Sequence, residues 1–208
     1  MQYLTDKLKF PDVSTSNKEG LLAIGGDLSS ERLVLAYQSG IFPWFNKDEP
    51  ILWWSPDPRF VLFPEKLKIS KSMKQVLRNC NYTVTVNNAF REVMQHCAKV
   101  KRDGQHDTWI TNSMVEAYTK LHALNYAKSV EVWNGEKLVA GLYGIDLSNG
   151  VFCGESMFTL EPNASKFGFI RFVQESNYKL IDCQVHTKHL ESLGAENISR
   201  EKFLNFLN

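Results

Sequence analysis

No run of eighteen or more apolar residues occurs in the 208-residue chain, and its first ten residues, MQYLTDKLKF, alternate charge with hydrophobe. Neither a membrane-spanning helix nor a secretory leader is expected, and the cytoplasm is the expected compartment. Cysteine is sparse. Cys80, Cys97, Cys153 and Cys183 lie far apart and form no C-x-x-C pair, so zinc-site and redox spacing are both absent. They read as buried free thiols. His186 and His189 stand one helical turn apart, but only Asp182 and Cys183 nearby could complete a ligand set, so no metal site is assigned. G-x-S-x-G, H-E-x-x-H and a Walker loop are missing too. Gly25-Gly26 lacks the spacing and the following lysine of a phosphate loop and reads as a turn. An excess of charge of one sign is also lacking, since 24 Lys and Arg face 23 Asp and Glu. Bulk charge therefore says nothing about nucleic acid, and only local charge can.

What is present is enough to bury a full core: 43% of the residues are hydrophobic, which suits one domain or a domain with a smaller lobe. Ser29 or Ser30 is placed to cap a helix running to Gln38, with Gly40 as its stop. Residues 41–60 carry Trp44, Trp53 and Trp54 among Pro43, Pro50, Pro56 and Pro58. Prolines this dense exclude a helix interior and a central strand, so the rings sit on rigid loops and short extended segments. Such rings either fill a core or offer stacking faces to bases. Lys71, Lys74 and Arg78 then fall at i, i+3, i+7 on one face of a helix read over 70–79, a stripe that suits a phosphate backbone or simply a solvated face.

Tyr82 to Val86 alternates as a strand, and Asn87 or Asn88 is placed to cap a helix through about Ala98. A charged loop, Lys99 to Asp107, leads to Trp109 and a helix for which Ser113 and Glu116 spell a capping box. Ser129 to Trp133 and Lys137 to Asp146 read as a hairpin turned by Asn134-Gly135, and Asn149-Gly150 turns the chain into VFCGESMF. A helix over 163–177, a strand over 179–183, a helix over 185–193 stopped by Gly194 and a last helix from Ser199 to Leu207 follow. Helices on a mostly antiparallel sheet make the expected fold α+β.

Within KLIDCQ (179–184), Asp182 and Gln184 are separated by one residue, and strand alternation points both to one face. Polar groups in a buried strand cost free energy unless they are paired, about 1–3 kcal/mol each. They therefore need a partner or a substrate. Glu155, among Phe152, Met157 and Phe158, is either salt-bridged to Lys166, Arg171 or Arg59, or held for a ligand. Glu155, Asp182 and Gln184, ringed by Leu142, Phe152, Met157, Phe172 and Ile181, would form an acidic, water-poor pocket for a substrate with one apolar group and one amine.

The stretches GGDLSSERLVLAYQSGIFPWF, PILWWSPDPR, TWIT, GLYG, FCGESMF, NASK, KLIDCQ and HLESLGA together resemble the leucyl/phenylalanyl-tRNA–protein transferases, from about Phe10 to the end of the chain. The resemblance implies an N-terminal lobe, residues 1–60, and an acetyltransferase-like (GNAT) catalytic domain, residues 61–208. It implies transfer of Leu or Phe, and weakly Met, from aminoacyl-tRNA to the α-amine of proteins beginning with Arg or Lys, in the N-degron pathway. Carried over residue by residue, Asp182, Gln184 and Glu155 are the catalytic group, and Leu142, Phe152, Met157, Phe172 and Ile181 line the amino acid side-chain pocket. Trp44 and Trp109 hold the terminal adenosine. Leu142 stands where methionine is expected, a volume-conserving change. No cofactor is expected, because the ester is already activated, and the enzyme is expected to act as a monomer away from membranes. In the scheme the resemblance implies, Asp182 polarises Gln184, whose carbonyl oxygen orients the amine and helps remove its proton; because a carboxamide is a poor base, orientation by Gln184 with Asp182 supplying negative charge is the preferred reading. Two other readings stay open: an acetyl-CoA-dependent acetyltransferase, although LEPNASK lacks the glycines of a pyrophosphate loop, and an RNA-binding module without catalysis.

Overall fold

The computed structural model describes residues 2–100 and 108–207. Two sheets organise the chain. The smaller has the order β1-β2-β4-β3, from β1 (Gln2–Leu4), β2 (Leu21–Gly25), β3 (Phe42–Pro43) and β4 (Leu52–Trp54). Helix α1 (Ser30–Gln38) runs from β2 toward β3 and is capped by the Ser29 hydroxyl, which accepts from the Arg32 amide. At its end Gly40 has φ +72°, and a β-carbon there would come within 2.6 Å of the Leu204 side chain. The left-handed backbone favours glycine, and any side chain there would also have to displace Leu204.

The larger sheet runs β11-β5-β10-β9-β8-β7-β6. Its strands are β5 (Arg59–Leu62), β6 (Tyr82–Val86), β7 (Ala127–Asn134), β8 (Lys137–Asp146), β9 (Val151–Thr159), β10 (Leu180–Gln184) and β11 (Glu196–Ile198). Every neighbouring pair is antiparallel except β10 with β9, so the sheet is mostly antiparallel as expected. Helices α2 (Lys71–Asn79), α3 (Phe90–Lys99), α4 (Asn112–Ala123) and α5 (Ala164–Glu175) pack with it, and the short α6 (Lys188–Ser192) and α7 (Arg200–Leu204) complete the chain. Their apolar stripes explain this: Phe90, Val93, Met94 and Cys97 of α3 are all buried, at the i, i+3, i+4, i+7 spacing of one helix face. One hydrophobic core takes in Trp53, Tyr37 and Phe42 from the smaller sheet's part of the chain together with Tyr118, Ile145 and Phe203 from the larger. Among the described residues no helix is long and apolar enough to cross a membrane.

Several local expectations need correction. Asn87 does not cap α3; it adopts φ +63° and its side chain accepts from the Ser129 amide. The entry to α3 is anchored from the neighbouring strand instead, where the buried Glu131 carboxylate accepts from the amides of Asn88 and Ala89, just before the helix, and from the hydroxyls of Ser129 and Thr85. At α4 the cap is Thr111, not Ser113, and Glu116 pairs with Arg91 at 2.5 Å instead of closing a capping box. A helix over 185–193 shrinks to α6, capped by Thr187, because Gln184 turns out of the strand at φ +63°. The helix over 163–177 runs only Ala164–Glu175, and the last helix ends at Leu204. Most of the expected loop from Lys99 to Asp107, residues 101–107, lies outside the described residues.

Candidate active site

Strands β9 and β10 run side by side only as far as the Cys153–Asp182 register, and β10 ends at Gln184 while β9 continues to Thr159. At that divergence lies a cavity of about 560 Å³. Its walls include Leu142, Phe152, Met157 and Ile181, the polar trio Glu155, Asp182 and Gln184, and both Trp44 and Trp109. Residues scattered over most of the sequence thus converge on one space. Phe172 does not line it; its ring stacks edge-on behind Phe152 at 4.8 Å between centroids, and Phe169 takes the wall position instead. Leu180 is fully buried in the core, one residue before the cavity-lining Ile181.

Asp182 and Gln184 do not share a strand face by simple alternation. A bulge falls between them in the pairing with β5, and Gln184 has a left-handed backbone. They meet through the main chain: the Gln184 amide donates to Asp182 Oδ1 at 2.9 Å. The Gln184 carboxamide instead donates from Nε2 to Glu155 Oε1 at 2.6 Å. Glu155 is therefore not salt-bridged to Lys166, Arg171 or Arg59. Its second oxygen accepts from the Tyr118 hydroxyl at 3.2 Å, and Tyr118 in turn meets the Tyr37 hydroxyl. The cation expected as a possible Glu155 partner, Arg59, belongs to Asp182, donating from Nε and Nη2 at 2.8 and 2.7 Å.

Glu155 opens in part onto the cavity but is otherwise enclosed by protein. Burial pushes its pKa up to about 7, against hydrogen bonds from Tyr37, Gln184 and Tyr118 that pull it down. A carboxyl raised above its unfolded value favours the folded state fully below the ordinary value of 4.5, and that contribution is lost as pH rises through about 7. Wild-type stability should accordingly fall between about pH 5 and about pH 8, whereas Glu155→Gln should lack that fall. Denaturant midpoints at the two pH values check this, and an unchanged slope in the variant would detach Glu155 from the effect.

Trp44 is 39% exposed, while Trp109 is almost covered and shows the cavity only part of its ring. Lys71, Lys74 and Arg78 are all exposed on α2, which packs against α5, and none of them lines the cavity. His189, set aside above as a metal ligand, lines the cavity with Nε2 buried and without a hydrogen-bond partner among the described residues. Burial and Lys166 hold its imidazole below the usual histidine value. Among the described residues no group of three or more His, Cys, Asp or Glu side chains could hold a metal ion. Tyr37 and Tyr118 are polar neighbours of Glu155 that sequence reasoning missed, and Arg59 was read as a possible partner of Glu155, not of Asp182. Tyr118 lies on the buried face of α4 with Met114, Ala117 and Leu121, a spacing that by itself reads only as core.

The family model described as leucyl/phenylalanyl-tRNA protein transferase matches residues 61–208, and that of its N-terminal domain matches residues 26–57. A leucyl/phenylalanyl-tRNA–protein transferase of Flavobacterium johnsoniae is 58% identical over 100% of this chain and 99% of its own. Proteins of the same name from Christiangramia forsetii and Syntrophobacter fumaroxidans are 55% and 53% identical, over 100% and 98% of this chain and 100% and 88% of theirs. Among solved structures, a GCN5-related N-acetyltransferase from Kribbella flavida aligns over 78% of this chain and 58% of its own, with 11% identity and a TM-score of 0.38. The chain belongs to the leucyl/phenylalanyl-tRNA protein transferases, a family of aminoacyltransferases.

Proposed function

We propose that the protein transfers Leu or Phe, and weakly Met, from aminoacyl-tRNA to the α-amine of proteins beginning with Arg or Lys, so marking them for degradation. The observation that carries this reading is the joining, in one cavity, of an apolar pocket, two tryptophans and the hydrogen-bonded Gln184–Glu155 pair. Residues 1–60 act as the lobe bearing Trp44, and residues 61–208 as the catalytic domain. The donor side chain lies against Leu142, Phe152, Met157 and Ile181, and the terminal adenosine against Trp44 and Trp109. Valine and isoleucine are disfavoured because branching at Cβ stiffens the chain next to the backbone, a discrimination worth about 1–3 kcal/mol.

An aminoacyl ester needs no further activation. The attacking amine must be unprotonated and close to the carbonyl, and orientation alone can supply several orders of magnitude in rate. With Nε2 committed to Glu155, Gln184 presents its carbonyl oxygen to an amine N–H. The nitrogen lone pair forms the C–N bond, and the tetrahedral oxyanion collapses with loss of the ribose oxygen. The proton released by the amine ends on that oxygen, relayed by the neighbouring ribose hydroxyl. The Glu155 carboxylate suits the cationic side chain of the acceptor's first residue.

Incubation with Phe-tRNA and an Arg-initiated peptide should extend the peptide by one phenylalanine, and a peptide beginning with Ala should stay unchanged. Phe-tRNA binding without extension would leave an RNA-binding module instead. Reversal of Lys71, Lys74 and Arg78 to Glu should weaken tRNA binding and flatten its dependence on salt, as expected if they contact phosphates. Binding and slope equal to wild type would make that stripe an ordinary solvated face.

A further inference from the structure

Asp182 directs most of its bonding away from the cavity. Arg59, on the strand next to β10, is 1% exposed and Asp182 is 0% exposed, and the guanidinium forks onto both carboxylate oxygens. Its remaining nitrogen, Nη1, donates to the Gly40 carbonyl at 3.3 Å. The guanidinium carbon also lies 4.7 Å from the Phe42 ring centre and 4.6 Å from that of Phe203. The end of α1, β3 and α7 thus hold one cation in place. A buried ion pair is weak evidence for stability, because apolar residues of similar volume often serve a core as well or better. What the pair does hold is geometry. The oxygen that accepts Arg59 Nε also accepts the Gln184 amide, at the one residue of β10 with a left-handed backbone. That conformation is unfavourable for a glutamine and needs surroundings that enforce it.

We propose that Arg59 is a positioning residue for the transfer reaction: it fixes the Asp182 carboxylate, which fixes the Gln184 backbone and so aims the carboxamide at Glu155 and the cavity. The negative charge of Asp182 is then matched by Arg59, and Asp182 serves the reaction through the main chain of Gln184. This rests on the reading above that Gln184 orients the amine.

The test compares wild type, Arg59→Ala and Arg59→Lys in transfer of Phe from Phe-tRNA to an Arg-initiated peptide, with folding checked by circular dichroism. No transfer by wild type would remove the functional reading itself; the outcomes below presuppose wild-type transfer. Arg59→Ala should lower kcat by at least about 100-fold while KM for Phe-tRNA stays within about threefold, and added methylguanidinium should recover part of the lost kcat saturably. A purely structural arginine would not give that combination of split and rescue. If Arg59→Ala does not fold, Arg59→Lys decides, because lysine keeps the charge but cannot make the two-pronged contact. A fall in its kcat at unchanged KM supports the proposal. Wild-type kcat in either folded variant, or a parallel loss of kcat and tRNA affinity without rescue, overturns it.

Discussion

Asp182→Asn is expected to slow transfer by at least about 100-fold while leaving affinity for Phe-tRNA within about threefold. Asparagine keeps the volume and one acceptor oxygen. Its amide group, however, must replace one of two oxygens that both accept from Arg59, at 2.8 and 2.7 Å. One orientation sets an N–H against the guanidinium; the other sets it against the Gln184 amide, now 2.9 Å from Oδ1. Either way a donor faces a donor in a buried site, and the turn that aims Gln184 loosens. Asp182→Ala should abolish transfer but is the less clean probe. It leaves the buried guanidinium unpaired, at a cost of about 3–5 kcal/mol against a total stability of about 5–15 kcal/mol. Filter binding alongside single-turnover transfer separates the effects. Equal loss of binding and transfer would make Asp182 a structural residue only.

Gln184→Glu should be at least as damaging, for an electrostatic reason. The carboxamide nitrogen lies 2.6 Å from Glu155 Oε1, so the substitution sets two carboxyl groups at hydrogen-bond distance in an enclosed pocket. Both cannot ionise there, and one retains a proton well above the ordinary range. At neutral pH the pair then holds one proton, and whenever that proton rests on Glu155 a carboxylate instead of a neutral carbonyl oxygen faces the amine. A loss of at least about 100-fold in kcat is expected. Combining it with Glu155→Gln exchanges donor and acceptor and removes the like-charge contact, so thermal stability should recover. Activity should recover less, because the carboxylate then stands where the amine is oriented. Melting curves and initial rates for both singles and the double measure this, and a fully active Gln184→Glu enzyme would remove Gln184 from the chemistry.

Much of the site was legible in the sequence because its polar members are anomalies. A carboxylate and a carboxamide at the end of an apolar strand, and a glutamate amid aromatics, violate ordinary burial and so announce themselves. Local periodicity also found the helices and the strands β6 to β10, including the hairpin that carries Leu142, but not β1 to β5 or β11. What stayed hidden depends on pairing between distant segments. Arg59 is one of three cations the sequence offers Glu155, but its partner Asp182 lies 123 residues away, and nothing local assigns a buried cation to one carboxylate over another. Glu131 hid likewise, anchoring from β7 the two residues that lead into α3, where the sequence offered a local asparagine as cap. The bulge after Asp182 defeated strict strand alternation, since period two holds only while the chain stays extended. Phe172 failed for a subtler reason: pattern shows that a residue faces the core, not which layer of the core it occupies.

The most direct measurement is a crystal structure with a stable, amide-linked phenylalanyl-adenosine bound. The expected complex has the adenosine against Trp44 and Trp109, the phenyl ring between Leu142, Phe152, Met157 and Ile181, and the acyl carbonyl within reach of an amine held by Gln184. A ligand seated outside this cavity, or bound in it with its carbonyl turned away from Gln184, would contradict the assignment of the site.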